Sequence, residues 1–364
     1  MYKSIPVKTS STDIYSVIIG EDLMSEVSNF LSSYYSSEKL FIIIDEQVYI
    51  NHSSLIENSF GEGFKKVIKY IVPSGESNKS IEQYSSIVDF ILQTGLERST
   101  PLLAIGGGVI GDLSGFVAAS VLRGIPLIHI PTTLLAMVDS SIGGKTGVNH
   151  STGKNLIGAF YQPKAVFADV NFLKTLPKKE WINGLSEIIK YGMIEDAHIL
   201  EELKELTADD AIAEPSKWIS LIEKSAKIKV DIVSKDVKES GIREFLNFGH
   251  TYAHVIEKKG EFKNFSHGEA VFAGMFGAIA ASNNEGASIS KSNLMTFKSL
   301  YDLDLTSIGD NYSELTEMMG RDKKVKDGTI RLVLLEELAN PIIKSFKDTR
   351  SIEESWKYLI SEFS

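Results

Sequence analysis

The chain has 364 residues, 43% of them apolar and 24% charged, a length that suits two domains with buried cores. It contains no cysteine, which excludes disulfide frameworks and thiolate metal sites and leaves His and carboxylate to hold any metal. A formal net charge of −10 argues against non-specific nucleic-acid binding. No apolar run approaches the ~18 residues of a membrane span. The first residues lack the apolar stretch and cleavage site of a secretory signal. The expectation is therefore a cytoplasmic protein with neither nucleic acid nor membrane as partner.

In chain order, Phe41-Ile42-Ile43-Ile44 predicts a short buried strand ending at Asp45. Over 80–94, Ile81, Tyr84, Ile87, Val88 and Ile91 recur at helical spacing, with Gly95 placed to end the helix. Leu102-Leu103-Ala104-Ile105 predicts a second strand, followed by glycines and a helical run over 113–122. Leu127 to Ile130 predicts a third strand, stopped by Pro131. Strands separated by helices imply a Rossmann-like α/β domain with a largely parallel sheet. After about Thr175 helical patterns dominate: one over 218–235, and one over 268–282 that is apolar nearly all round, as in a buried helix. A β-like run follows at 330–335. The economical division is an α/β domain over 1–176 and a mainly α-helical domain over 177–364.

Three segments carry candidate chemistry. Gly106-Gly107-Gly108-Val109-Ile110-Gly111-Asp112 joins a strand to a helix, so its backbone N–H groups suit a pyrophosphate. The alternative is a tight structural turn. Asp45 is placed either to accept from a ribose hydroxyl or to cap a helix. From 140 to 168 there is no Asp or Glu, yet Lys145, Lys154 and Lys164 fall there among Gly143, Gly144, Gly147 and Gly153. Flexible glycines, ammonium groups and the amides of Asn149 and Asn155 suit a phosphorylated polyhydroxy ligand, although a polar surface loop has the same composition. Of seven histidines, His250, His254 and His267 fall close together, the first two on one helical face. A carboxylate such as Glu187 with two of these histidines suits a three-ligand zinc site with an open position for substrate.

These blocks together resemble the 3-dehydroquinate synthase family. The resemblance rests on 131–135 (Pro-Thr-Thr-Leu-Leu), 138–149, 153–160, 187–192, 243–251 and Asp322-Lys323-Lys324, in family order over most of the chain. It implies zinc or cobalt held by Glu187, His250 and His267. It implies NAD contacts at Asp45, Gly75, Glu76, Lys79, Gly108, Val109, Ile110, Gly111, Asp112, Thr132, Thr133, Phe172, Leu173, Lys174 and Thr175. Lys145 and Lys154 would lie between cofactor and substrate. Substrate positions would be Asp139, Asn155, Lys190, Lys229, Glu239, Arg243, Asn247, His254 and one lysine of the pair Lys323 and Lys324. Arg123 would reach a substrate phosphate across a homodimer interface. Ser74, Leu122 and Met137 stand where the family commonly has Asp, Tyr and Gln.

The implied activity is the conversion of 3-deoxy-D-arabino-heptulosonate 7-phosphate, a sugar phosphate, to 3-dehydroquinate and phosphate. The sequence of events would be transient oxidation by NAD, phosphate β-elimination, re-reduction, ring opening and intramolecular aldol closure, in the shikimate route to aromatic amino acids. The rivals are a sedoheptulose 7-phosphate cyclase, whose substrate lacks a carboxylate, and a metal-dependent NAD alcohol dehydrogenase.

Overall fold

The structure, a computed structural model, describes residues 2–10, 14–60, 63–208, 214–239, 241–261, 263–320 and 329–364. It divides into two compact units, Met1–Pro177 with Ile212–Lys238, and Lys178–Ala211 with Glu239–Ser364. The first unit opens with β1 (Lys3–Lys8) and β2 (Ile14–Gly20), an antiparallel pair. There follow α1 (Met24–Tyr34), β3 (Lys39–Asp45), α2 (Glu46–Ser59), β4 (Lys66–Val72) and α3 (Ile81–Gln93). Next come β5 (Leu102–Gly106), α4 (Gly108–Ser120) and β6 (Leu127–Pro131). The antiparallel strands β7 (Lys145–His150) and β8 (Gly153–Phe160) precede β9 (Ala165–Asp169).

Seven of these strands form one sheet in the order β1-β2-β9-β6-β5-β3-β4, parallel except for β1. Among its inner strands β3 and β5 carry unbroken apolar runs, 40–44 and 102–105, because both faces are covered. On one face Ile87 and Ile91 of α3, with Ile110, Leu113 and Val117 of α4, pack on Phe41 and Ile43 of β3 and Leu102 of β5. Each such fully buried side chain contributes roughly 1.5–3 kcal/mol relative to exposure. The chain winds outward from β3 to β4, then restarts on the other side of β3 with β5 and β6. That reversal falls between the carboxyl ends of β3 and β5, the usual ligand position in an open α/β sheet. Asp45 ends β3 and Gly106 ends β5, so the sheet topology itself brings these two positions side by side.

The chain then runs through α5 (Lys178–Ile194) and α6 (His198–Ala208) of the second unit before α7 (Ile219–Lys235). α7 packs on β1, β2 and the π-helical turn Ala136–Ser140. It is thereby grouped with the first unit, whereas the sequence division at 176/177 puts it in the second. Helical periodicity reveals that a helix has an apolar face but not which sheet or helix will cover it.

The second unit continues with α8 (His250–Lys259), α9 (His267–Asn284), α10 (Ser292–Met295) and α11 (Tyr312–Gly320). The β-hairpin of β10 (Ile330–Glu337) and β11 (Asn340–Phe346), then α12 (Arg350–Glu362), complete it. Gly268 and every residue from 270 to 282 are buried, because α5, α8, α12 and β10 surround α9. No helix among the described residues is long and apolar enough to cross a membrane.

Candidate functional site

In the second unit, three side chains from three helices converge: Glu187 of α5, His250 of α8 and His267 of α9. Glu187 Oε1 lies 3.5 Å from His250 Nε2 and 3.6 Å from His267 Nε2. Ligand atoms ~2.1 Å from a tetrahedral ion are about 3.4 Å apart, so the donor set fits a zinc-like cation with one coordination position left over. The local sequence builds this approach. Gly268 allows α9 to meet α5 where a Cβ would stand 2.4 Å from Asn183 Cα, and its N–H donates to Asn183 Oδ1 at 3.0 Å. Ser186 Oγ donates to Gly268 O at 2.7 Å and lies 2.7 Å from Tyr301 Oη. Gly274 brings α9 equally close to Gly249, which starts α8 with φ +78°. A capping box between Ser266 and Glu269 fixes the first turn of α9, and His267 with it.

The outward atoms of these side chains are also held. Lys190, 1% exposed, donates to Glu187 Oε2 and so turns Oε1 towards the histidines. His250 Nδ1 lies 3.2 Å from the carbonyl of Phe248, which suits a tautomer with its lone pair on Nε2. Burial lowers the His250 pKa to about 3, so the ring stays neutral. Burial would also lower that of His267, but the carboxylates of Glu187 and Glu257 outweigh it and raise the pKa to about 10. Two carboxylates about one imidazole favour positive charge there.

The same unit holds several of the other positions implied for substrate, Glu239, Arg243, Asn247 and His254. Arg243 and Asn247 belong to the 3-10 turn Ile242–Asn247, with Arg243 2% exposed. Asn247 Nδ2 donates to Glu239 Oε1 at 3.0 Å. Arg331 Nη2 donates to both carboxylate oxygens of Glu244, at 3.2 and 3.0 Å, tying this turn to β10. His254 follows one helical turn after His250, their rings 6.1 Å apart. Lys323 and Lys324 lie outside the described residues.

The first unit assembles the positions implied for the cofactor. Asp45 proves to be a helix cap: Oδ1 accepts from Gln47 N at 2.9 Å, Val48 N at 3.2 Å and Ser74 Oγ at 2.7 Å. All three bonds reach one oxygen, which leaves Oδ2 for a ligand. Ser74, where the family commonly has Asp, thus supplies a donor in place of a second carboxylate. Gly108, Val109, Ile110, Gly111 and Asp112 form the first turn of α4, and Thr132 N donates to Gly106 O at 3.0 Å. Thr132 Oγ1 and Ser140 Oγ are buried without a hydrogen-bond partner, and a Cβ on Gly108 would lie 3.0 Å from that Ser140 oxygen. Buried hydroxyls beside a glycine turn fit a polar ligand that would satisfy them. Phe172 to Thr175 close the 3-10 turn after β9, where His52 lies 2.8 Å from Thr175 Oγ1 and edge-on to Phe172.

Lys79 ties these parts together. Its ammonium donates to Asp112 and, at 2.5 Å, to Asn155 Oδ1, while its carbonyl accepts from Asn149 N at 2.8 Å. Asn149 Nδ2 reaches Glu76 Oε1 at 2.7 Å, so the Gly75–Lys79 turn is sewn to the lysine-bearing segment. That segment is a β-hairpin and not a flexible loop. Lys145 opens β7, Lys154 sits near the start of β8, and Gly147 faces Gly158. A Cβ on either would stand 2.5 or 2.0 Å from a facing carbonyl oxygen, so these glycines serve close pairing. Lys229 of α7 pairs with Asp139 Oδ1 at 2.9 Å and donates to its carbonyl at 2.6 Å. Arg123 is exposed in a turn where Leu122, Arg123 and Gly124 all have positive φ. Met137 is fully buried in the Ala136–Ser140 turn.

Two residues escaped the sequence reading. Glu257 follows His250 by two helical turns, a spacing that could have singled it out; Ser140 adjoins Asp139, but nothing in the sequence says that its hydroxyl is buried.

Comparison with known proteins first defines the class. The fold is shared with 2-epi-5-epi-valiolone synthase from Streptomyces hygroscopicus subsp. jinggangensis, solved with NAD+ and Zn2+ bound, which superposes with a TM-score of 0.84 at 24% identity. That match covers 98% of this chain and 99% of that one. Residues 69–183 match the family model for the 3-dehydroquinate synthase N-terminal region, and 184–325 that for its C-terminal region. The 3-dehydroquinate synthase of Rippkaea orientalis is 39% identical over 353 residues, 93% of this chain and 94% of that protein. That of Crocosphaera subtropica is 40% identical over 355 residues, 93% and 96% of the two chains. The chain belongs to the 3-dehydroquinate synthase family.

Proposed function

We propose that the chain converts 3-deoxy-D-arabino-heptulosonate 7-phosphate to 3-dehydroquinate and phosphate, as a cytoplasmic homodimer using NAD and a divalent metal, zinc or cobalt. The observation that carries this reading is the Glu187–His250–His267 cluster, whose donors match a three-ligand metal site in a chain of this family. When bound, NAD supplies reversible hydride transfer at a carbinol of the substrate, and the metal polarises the carbinol oxygen.

The chain's own residues supply binding and orientation. Glu187, His250 and His267 hold the metal, with Lys190 fixing the rotation of the Glu187 carboxylate. Arg243 forks the substrate carboxylate, which gives the planar guanidinium a role that a lysine would fill poorly. Asn247, set by Glu239, hydrogen-bonds substrate hydroxyls, and His254 moves protons beside the metal. Asp139, Lys229, Asn155 and one lysine of the 323–324 pair complete the substrate contacts. Asp45, the Gly75–Lys79 turn, Gly108 to Asp112, Thr132, Thr133 and Phe172 to Thr175 hold NAD, and the charges of Lys145 and Lys154 retain cofactor and anionic intermediates. Arg123 serves the phosphate bound by the partner subunit.

The test is phosphate release by the purified protein with saturating heptulosonate and trace NAD. Phosphate should exceed the NAD supplied many times over, with NADH absorbance near baseline. A chelator should stop turnover and added zinc restore it. Stoichiometric NADH would point instead to an alcohol dehydrogenase. Turnover of sedoheptulose 7-phosphate without turnover of the heptulosonate would assign the chain to the other cyclase branch.

A further inference from the structure

Glu257 is a carboxylate only 4% exposed, on α8 two turns beyond His250. Burying a carboxylate costs several kcal/mol unless positive charge or hydrogen bonds offset it. Its Oε1 lies 3.6 Å from His267 Nδ1, within ion-pair range, while His267 Nε2 lies 3.6 Å from Glu187 Oε1. The imidazole therefore stands between two carboxylates, one beside each ring nitrogen. For the other two members of the cluster the outward atom is held by Lys190 and by the Phe248 carbonyl. At His267 the corresponding group is an acidic side chain, which also changes the charge of the site.

We propose that Glu257 is a positioning residue of the metal centre, holding His267 through Nδ1 with Nε2 turned towards the ion and raising cation affinity by its charge. The inference rests on the metal reading given above. A carboxylate behind a ligating histidine fixes the tautomer and makes the ring a stronger donor, and removing such a partner typically weakens metal binding about 10- to 100-fold. Glu257 touches the metal only through His267, so it acts on affinity and ligand geometry.

The experiment strips the full-length protein of metal and measures zinc affinity by chelator competition, and the visible spectrum after cobalt loading. The variants are Glu257→Gln and Glu257→Asp. Glu257→Gln keeps the shape and removes the charge. It should bind zinc at least about tenfold more weakly than the parent and shift the cobalt bands. Glu257→Asp, charged but shorter, should recover part of the affinity. Thermal melts of the metal-free proteins separate a folding defect: a purely structural Glu257 would lower the metal-free melting temperature and leave the zinc dissociation constant and cobalt bands in place. If Glu257→Gln does not fold, the Glu257→Asp protein carries the same two readouts, and unchanged values there would overturn the proposal. Folded Glu257→Gln that binds zinc within twofold of the parent, with the parent's spectrum, overturns it likewise. Failure of the parent to bind either metal would sink the metal reading itself, and this inference with it.

Discussion

In the first unit the candidate cofactor positions sit at strand ends, in short turns and on a hairpin, and side chains such as Lys79, Asn149 and Asn155 join them across the sequence. In the second unit the candidate metal ligands sit on helices, and backbone approach at Gly268 and Gly274 sets their positions. The difference teaches where each kind of site is fragile. A site sewn from polar side chains fails when one charge is removed. A site set by helix contact fails when one methyl group is added.

The largest expected effect is on the sewn site. Lys79→Met strands Asp112, whose carboxyl burial already raises above its ordinary pKa, and releases Asn155. Breaking a buried pair costs on the order of 3–5 kcal/mol, and the 19% exposure of the Asp112 side chain favours the low end. Denaturant melts should register that loss, and calorimetry should find NAD binding weakened with zinc affinity intact. An equal loss of zinc affinity would erase the contrast between the units.

Next comes acid. His129 lies on β6 in the first unit, and burial lowers its pKa from 6.5 to about 4. Between those values the unfolded chain holds a proton that the folded chain does not. Stability is therefore full above about pH 6.5 and falls as the pH drops towards 4, by roughly 3 kcal/mol. His129→Gln should flatten that part of the stability profile in melts taken across the range. A slope unchanged in the variant would locate the acid sensitivity elsewhere.

Gly268→Ala tests the helix-built site. Its methyl would meet Asn183 Cα at 2.4 Å, forcing α9 away from α5 at a cost of about 1–3 kcal/mol. Zinc affinity should drop while NAD affinity holds, the reverse of Lys79→Met. Retention of full zinc affinity would mean that the helices adjust freely. The smallest effect belongs to Tyr301→Phe, which removes one hydroxyl from Ser186 but leaves the Ser186 bond to Gly268. A loss near 1 kcal/mol with zinc affinity unchanged would confirm that the glycine approach, more than this hydrogen bond, places His267.

Much of this was legible before any coordinates. The strand at 41–44, the helix over 80–94 with its glycine stop, and the buried helix over 268–282 all match elements of the structure, because apolar periodicity and chain punctuation act over a few residues. The hairpin at 145–160 was legible only as composition. Its glycines signal flexibility in a linear reading, and only the facing strand reveals that they make room for a carbonyl. The N-terminal pair β1–β2 and the strand β11 were likewise missed, since pairing partners decide strand identity where the apolar pattern is weak.

By itself the sequence determined the ligand types, since a chain without cysteine leaves His and carboxylate for a metal, and it determined the family, through ordered blocks that no single motif could replace. Tertiary structure alone decided which oxygen of Glu187 faces the histidines, that Asp45 caps a helix through one oxygen and keeps the other, and that Glu257 stands behind His267. The physical reason is range. Residue type and local period are properties of neighbours in the chain, whereas a metal site and a buried carboxylate depend on ångström-scale distances between helices brought together by packing.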